Sequence, residues 1–204
     1  MTSIKIKELS KSYKNKKVFE NFDLEVEDNE VLGIKGPSGI GKTTLMRCIA
    51  GLETYSGEIR VKGDISYLFQ DDRILNWLNA RKNILIPFRL KGKSISDHRM
   101  SRIRDLARKL GVKSILDSPV SEISGGQKQR ILVTRALATD PDILLLDEPF
   151  RSLDPENRGK IRKEAIEMAR ENGTTTLISS HRKDIRNITD RVIDFEERKG
   201  VKRN

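Results

Sequence analysis

The chain has 204 residues, 36% of them hydrophobic and 34% charged, with a formal net charge of +10. That length suffices for one sizeable core, and no apolar run approaches the roughly 20 residues of a membrane-spanning helix. The N-terminus lacks an apolar signal core, so secretion is not expected, and the positive surplus is spread among acidic residues as on solvated faces, although it would also suit nucleic acid or an anionic membrane surface.

Residues 1–30 read as strands. Phe22, Leu24 and Val26 alternate with Asp23, Glu25 and Glu27, the period of a half-buried antiparallel strand. Asp28 and Asn29 supply the turn. The strand Val31–Lys35 feeds a glycine-rich loop and then a helix with the apolar face Leu45, Met46, Cys48 and Ile49. Cys48, the only cysteine, excludes an internal disulfide, fits a reducing compartment and is expected to be a buried structural thiol. Short strands over 57–61 and 65–69 flank a turn at Gly63.

Residues 76–124 carry no strand pattern. Met100, Ile103, Leu106, Ala107 and Leu110 recur there at helical spacing, and Gly111 is the stop. A helix over 126–138 ends before Pro141. The strand over 143–146 is apolar throughout, as a parallel strand buried on both faces should be. Asp154, Pro155 and Glu156 form a helix start with cap, proline and acid in place. Ile161, Ala165, Met168 and Ala169 make that helix's apolar stripe, and Gly173 ends it. Strands over 174–179 and 192–195 follow, with no repeat, linker or low-complexity tract.

Two stretches carry nucleotide chemistry. Gly36, Pro37, Ser38, Gly39, Ile40, Gly41, Lys42 and Thr43, continued by Thr44, lie between a strand and a helix. Glycines there let the backbone aim N–H groups at phosphate oxygens, and the helix N-terminus adds positive dipole. Lys42 reaches the β- and γ-phosphates and the Thr43 hydroxyl ligates Mg²⁺. Asp147 and Glu148 end the apolar strand, at the sheet edge where ligands bind. Hydrolysis needs one carboxylate for Mg²⁺ and one for the attacking water; Asp147 suits the first role and Glu148 the second, and neighbours on a strand point to opposite sides.

The stretch Ile123, Ser124, Gly125, Gly126, Gln127 lies between these two. With all three in this order, the chain resembles the ATP-binding subunits of ABC transporters over nearly its whole length. The resemblance implies an α/β fold: a P-loop NTPase core of ABC type with an N-terminal antiparallel β subdomain and an inserted helical subdomain. It implies one domain over 1–204, with 1–75 and 125–204 as ATP-binding core and 76–124 as helical subdomain. Ser124, Gly125, Gly126 and Gln127 would contact ATP held by a second copy; Ile123 stands where the family usually has leucine. Gln70 matches the Q-loop that touches Mg²⁺ and water. Ser152, Leu153 and Asp154 match the D-loop at the dimer interface. His181 matches the switch histidine that senses the γ-phosphate, with Arg182 where aspartate is common. Tyr13 resembles the aromatic that stacks on adenine, an alternative to a plain strand-edge ring. His98, in a polar helix start, is assigned no role.

Residues 69–79 resemble the nitrate, sulfonate and taurine importer group, with Asn76 in place of its usual proline. Trp77 either packs the subdomain junction or, with Leu75 and Leu78, walls a groove for the transport subunit. The implied cofactors are ATP and Mg²⁺. The implied partners are a second copy, transmembrane permease subunits and a substrate-binding protein, with the chain cytoplasmic and peripheral on the inner face of the membrane. No added C-terminal regulatory domain is expected. One alternative is a non-transport ABC ATPase acting on nucleic acid or ribosomes, supported only by the +10 charge; the paired ATPase domains or coiled coils of such proteins are missing here, and no nucleic acid partner is expected. Another is a nucleotide-holding module without turnover, against which Glu148 and His181 argue.

Overall fold

Polar–apolar alternation in the N-terminal segment becomes an antiparallel sheet. In the computed structural model, which describes residues 1–14, 16–71, 73–92, 94–181 and 183–198, β1 (Thr2–Tyr13) pairs with β2 (Lys16–Glu27). The turn at Asp28 and Asn29 forms as the sequence suggests, with Asn29 at φ 64°, a conformation asparagine tolerates. The chain then crosses into β3 (Val31–Lys35) and α1 (Lys42–Ile49) and returns as β4 (Ser56–Val61), which completes the sheet in the order β2-β1-β4.

A second sheet is wholly parallel. It contains β3, β5 (Ile65–Leu68), β6 (Ile143–Asp147), β7 (Thr175–Ser180) and β8 (Arg191–Asp194), in the order β5-β6-β7-β3-β8. Parallel neighbours need crossover connections. One of these carries α2 (Ala80–Leu90), α3 (Asp97–Lys109) and α4 (Gly125–Ala138); another carries α5 (Pro155–Glu171). The starts of these four helices are capped by side chains the sequence supplies: Asn79 for α2, Ser96 for α3, Ser124 for α4 and Asp154 for α5. Among the described residues, 76–124 contain no strand beyond one isolated bridge from Asn79 to Pro119.

Strand β6 shows why its sequence is apolar at every position. Ile143 and Leu145 pack with Leu32, Leu45, Met46 and the antiparallel sheet. Leu144 and Leu146 face the other way, into a core with α4, α5, Ile84, Phe88 and Leu106. Period-two alternation therefore splits one strand between two cores, each buried side chain contributing roughly 1.5–3 kcal/mol. Helices α2 and α3 pack on α4, so the insert shares a core with the parallel sheet.

Some boundaries differ from the sequence reading. The last strand ends at Asp194, and Phe195 opens a short helix, α6 (Phe195–Arg198). The Asp194 carboxylate accepts the Glu196 N–H at 3.0 Å, which turns the chain out of the strand. No described helix is long and apolar enough to cross a membrane.

Candidate functional site

All five parallel strands end on the same edge, so four loops distant in sequence meet there. Strand β3 delivers the glycine-rich loop, β5 delivers Gln70, β6 delivers Asp147 and Glu148, and β7 delivers His181. Tyr13, Ser38, Gly39, Gly41, Lys42, Thr43, Thr44, Gln70 and Glu148 line one cleft of about 210 Å³.

Gly41 explains the need for glycine in the loop. It has φ 118°, and a Cβ there would stand 2.8 Å from a Val18 methyl. Lys42 is 5% exposed, and its Nζ donates to the carbonyls of Gly36 at 2.7 Å and Pro37 at 3.0 Å. The ammonium also lies 3.6 Å from Glu148 Oε1. Glu148 Oε2 lies 3.3 Å from His181 Nδ1. One carboxylate thus stands between the loop lysine and the histidine, although the three residues come from different strands.

The backbone at Glu148 corrects one expectation. Strand β6 stops at Asp147, and Glu148 has φ 49°, a left-handed conformation uncommon for glutamate. Strand alternation therefore does not separate the two carboxylates; a strained turn directs Glu148 to Lys42 and His181. Such strain concentrates at functional sites. Asp147 is 1% exposed. Its Oδ1 accepts the Ser179 hydroxyl at 2.6 Å, and its Oδ2 lies 3.5 Å from the Tyr67 hydroxyl. Burial pushes the Tyr67 phenol up, and the Asp147 charge adds to that.

Thr43 Oγ1 lies 3.5 Å from Gln70 Oε1. The residues expected to serve a cation thus offer a hydroxyl, an amide oxygen and a carboxylate, the hard oxygen donors Mg²⁺ prefers. No cluster of three or more histidine, cysteine, aspartate or glutamate side chains suited to a metal occurs among the described residues.

Tyr13 is 42% exposed at the end of β1. Lys11 Nζ lies 4.6 Å from its ring centroid and is held by Glu53 at 3.0 Å and the Thr54 carbonyl at 2.7 Å. The Lys11 pairing holds the Glu53 carboxyl low. Glu53 and Thr54, which hold Lys11 beside the ring, had no sequence signal, being more than 40 residues from Lys11.

Ser124, Gly125, Gly126 and Gln127 do not line this cleft. Ser124 and Gly125 are exposed at the start of α4. Ser124 Oγ accepts the Gln127 N–H at 3.2 Å, and Gln127 Oε1 accepts the Ser124 N–H at 2.8 Å, a closed capping box. Ile123 is 7% exposed and belongs to the insert-side core, which accounts for its apolar identity. A Cβ at Gly126 would lie 3.4 Å from the Ser152 carbonyl, so this segment abuts the Ser152, Leu153, Asp154 loop. Arg182 lies outside the described residues, and His98 is exposed in the first turn of α3.

Residues 19–151, more than half of the chain, match the family model described as ABC transporter. The chain belongs to the ABC transporter family. It is 34% identical over 193 residues to the sulfoquinovosyl glycerol transport ATP-binding protein of Agrobacterium fabrum, covering 89% of this chain and 54% of that protein. It is 32% identical over 195 residues to an aliphatic sulfonates import ATP-binding protein of Pseudomonas syringae pv. syringae, covering 94% of this chain and 79% of that protein. The chain therefore spans about half the length of the first relative and about four fifths of the second. Among solved structures, an ATP-binding cassette captured as a dimer in a post-hydrolysis state, bound to ADP and Pi, superposes with a TM-score of 0.83 at 26% identity. That match covers 94% of this chain and 93% of the cassette. The two-sheet architecture with inserted helices is thus the ABC cassette fold.

Proposed function

We propose that this chain is the ATP-binding and ATP-hydrolysing subunit of an ABC importer. The observation that carries the reading is Glu148, bracketed by Lys42 at 3.6 Å and His181 at 3.3 Å at the mouth of the glycine-rich loop. In this reading the loop N–H groups and Lys42 hold the ATP phosphates, and Tyr13, backed by Lys11, stacks on adenine. Thr43, Gln70 and Asp147 would hold Mg²⁺, which when bound neutralises charge developing on the phosphates. Glu148 orients and deprotonates the attacking water, and His181 holds the Glu148 carboxylate and contacts the γ-phosphate.

Ser124, Gly125, Gly126 and Gln127 would complete the site of a second copy. The exposure of Ser124 and Gly125 at a helix N-terminus, with all four residues away from their own chain's cleft, supports that role. Residues 1–204 act as one ATPase unit, with the helices of 76–124 as the side that meets the transport machinery. Transmembrane permease subunits, with a substrate-binding protein, would place the chain on the inner face of the cell membrane. The relatives' names favour transport, and the sulfonate relative's name import, over action on nucleic acid or ribosomes; that relative also agrees with the resemblance in residues 69–79.

Lys42→Ala tests the reading at the phosphates. It should abolish most equilibrium ATP binding while the chain still folds; unchanged ATP binding would defeat the assignment. Recovery of the wild-type chain from its native membrane should bring permease subunits with it, and recovery of nucleic acid instead would favour the alternative.

A further inference from the structure

We propose that Ser179 is a positioning residue for both carboxylates, holding one oxygen of Asp147 so that the other is presented to the cation. This rests on Asp147 being a Mg²⁺ ligand, as proposed above. The parallel register of β6 and β7 sets Asp147 beside Ser179. Both residues are 1% exposed, so no solvent competes for their hydrogen bonds. Ser179 Oγ donates to Asp147 Oδ1 at 2.6 Å and accepts the Glu148 N–H at 2.9 Å. A hydroxyl has one proton. Here it is committed to Asp147, and the incoming Glu148 N–H occupies the acceptor side, so the rotor has one setting.

Two consequences follow from that setting. Oδ1 of Asp147 is satisfied within the protein, which leaves Oδ2, whose contact with the Tyr67 hydroxyl is long at 3.5 Å, as the less committed oxygen. The strained turn at Glu148, φ 49°, is tied down by its own N–H, and that turn delivers the side chain to Lys42 and His181. One hydroxyl therefore fixes the relative placement of the cation-holding and water-orienting groups. Groups that orient a metal's ligands, without touching the metal, commonly govern its affinity.

The test uses the full chain and titrates Mg²⁺ at fixed ATP, reading the ATP-dependent rise in melting temperature. Ser179→Ala should raise the Mg²⁺ concentration at half effect about tenfold or more, while ATP binding in Mg²⁺-free buffer stays at the wild-type level. Ser179→Thr, which keeps the hydroxyl, should restore the wild-type Mg²⁺ requirement. Asp147→Asn serves as the control on the underlying reading. A shift with Asp147→Asn and none with Ser179→Ala overturns the role of Ser179 and leaves Asp147 standing. No shift with either overturns the assignment of Asp147 itself. A Ser179→Ala chain that fails to fold, or loses Mg²⁺-free ATP binding in parallel, shows a packing role and also overturns the proposal, as does equal failure of the alanine and threonine variants.

Discussion

Trp77 lies in the connection between β5 and α2 and is 78% exposed. The sequence left two roles open for it, and the exposure separates them. A fully buried tryptophan truncated to alanine costs roughly 3–5 kcal/mol. Here only about a fifth of the residue is covered; of roughly 250 Å² for an indole side chain that is about 50 Å², or about 1.3 kcal/mol at ~25 cal/mol/Å². In a chain of this size that amounts to a melting shift of about 3–5 °C or less. Trp77→Ala should therefore melt close to wild type and bind ATP normally. Leu75 and Leu78, half-buried beside it, extend the apolar patch, and such a patch implies a partner. Capture of permease subunits from solubilised native membranes should fall sharply. Melting, ATP binding and capture are measured on the same preparation. A large melting loss with parallel loss of ATP binding would refute the docking role, and undiminished capture would refute it equally.

Glu148→Gln keeps the shape but removes the charge at the water, so hydrolysis should fall by roughly two or more orders of magnitude with ATP binding intact; normal turnover would contradict this. Burial pushes the Cys48 thiol up to about 11, so the folded chain should resist alkylation at pH 8 and react once unfolded; reaction at the rate of a free thiol would contradict it. Lys35, bonded to Asp194 at 2.5 Å, holds that carboxyl below the usual carboxylate range. A depressed carboxyl stabilises the fold above its unfolded pKa and loses that contribution as pH falls through the folded value. Asp194→Asn should then lower the melting temperature at pH 7, with the difference narrowing below about pH 4; a difference independent of pH would contradict the pairing.

Local signals carried much of the architecture. Asp154, Pro155 and Glu156 announced α5 because capping is settled within a few residues, and Asp154 does accept the Asn157 N–H at 2.9 Å. The apolar run of β6 suits a short strand covered on both faces, and its side chains do divide between two cores. What escaped depends on distant partners. Phe195 is apolar and 2% exposed, so it extends the pattern of β8 although the backbone has already turned. Glu148 reads as one more strand residue, because nothing in a glutamate reports a left-handed turn. Ser179 looks like a polar strand end, and its meaning appears only when Asp147, 32 residues away, is placed beside it. The phosphate-loop side of the candidate site was readable because its spacing is local, whereas the bonds that orient the carboxylates are tertiary.

The central claim is that two chains share each ATP, one giving its glycine-rich loop and the other its Ser124 segment. Sedimentation of the Glu148→Gln chain tests it most directly. The account predicts a monomer alone or with ADP, and a dimer with ATP and Mg²⁺. Adding Ser124→Asp preserves the helix cap, since aspartate caps as well as serine, but sets a carboxylate against the partner's phosphates. That double variant should bind ATP and stay monomeric. A Glu148→Gln chain that remains monomeric with ATP and Mg²⁺, or that dimerises regardless of ATP and of the charge at position 124, would contradict the account.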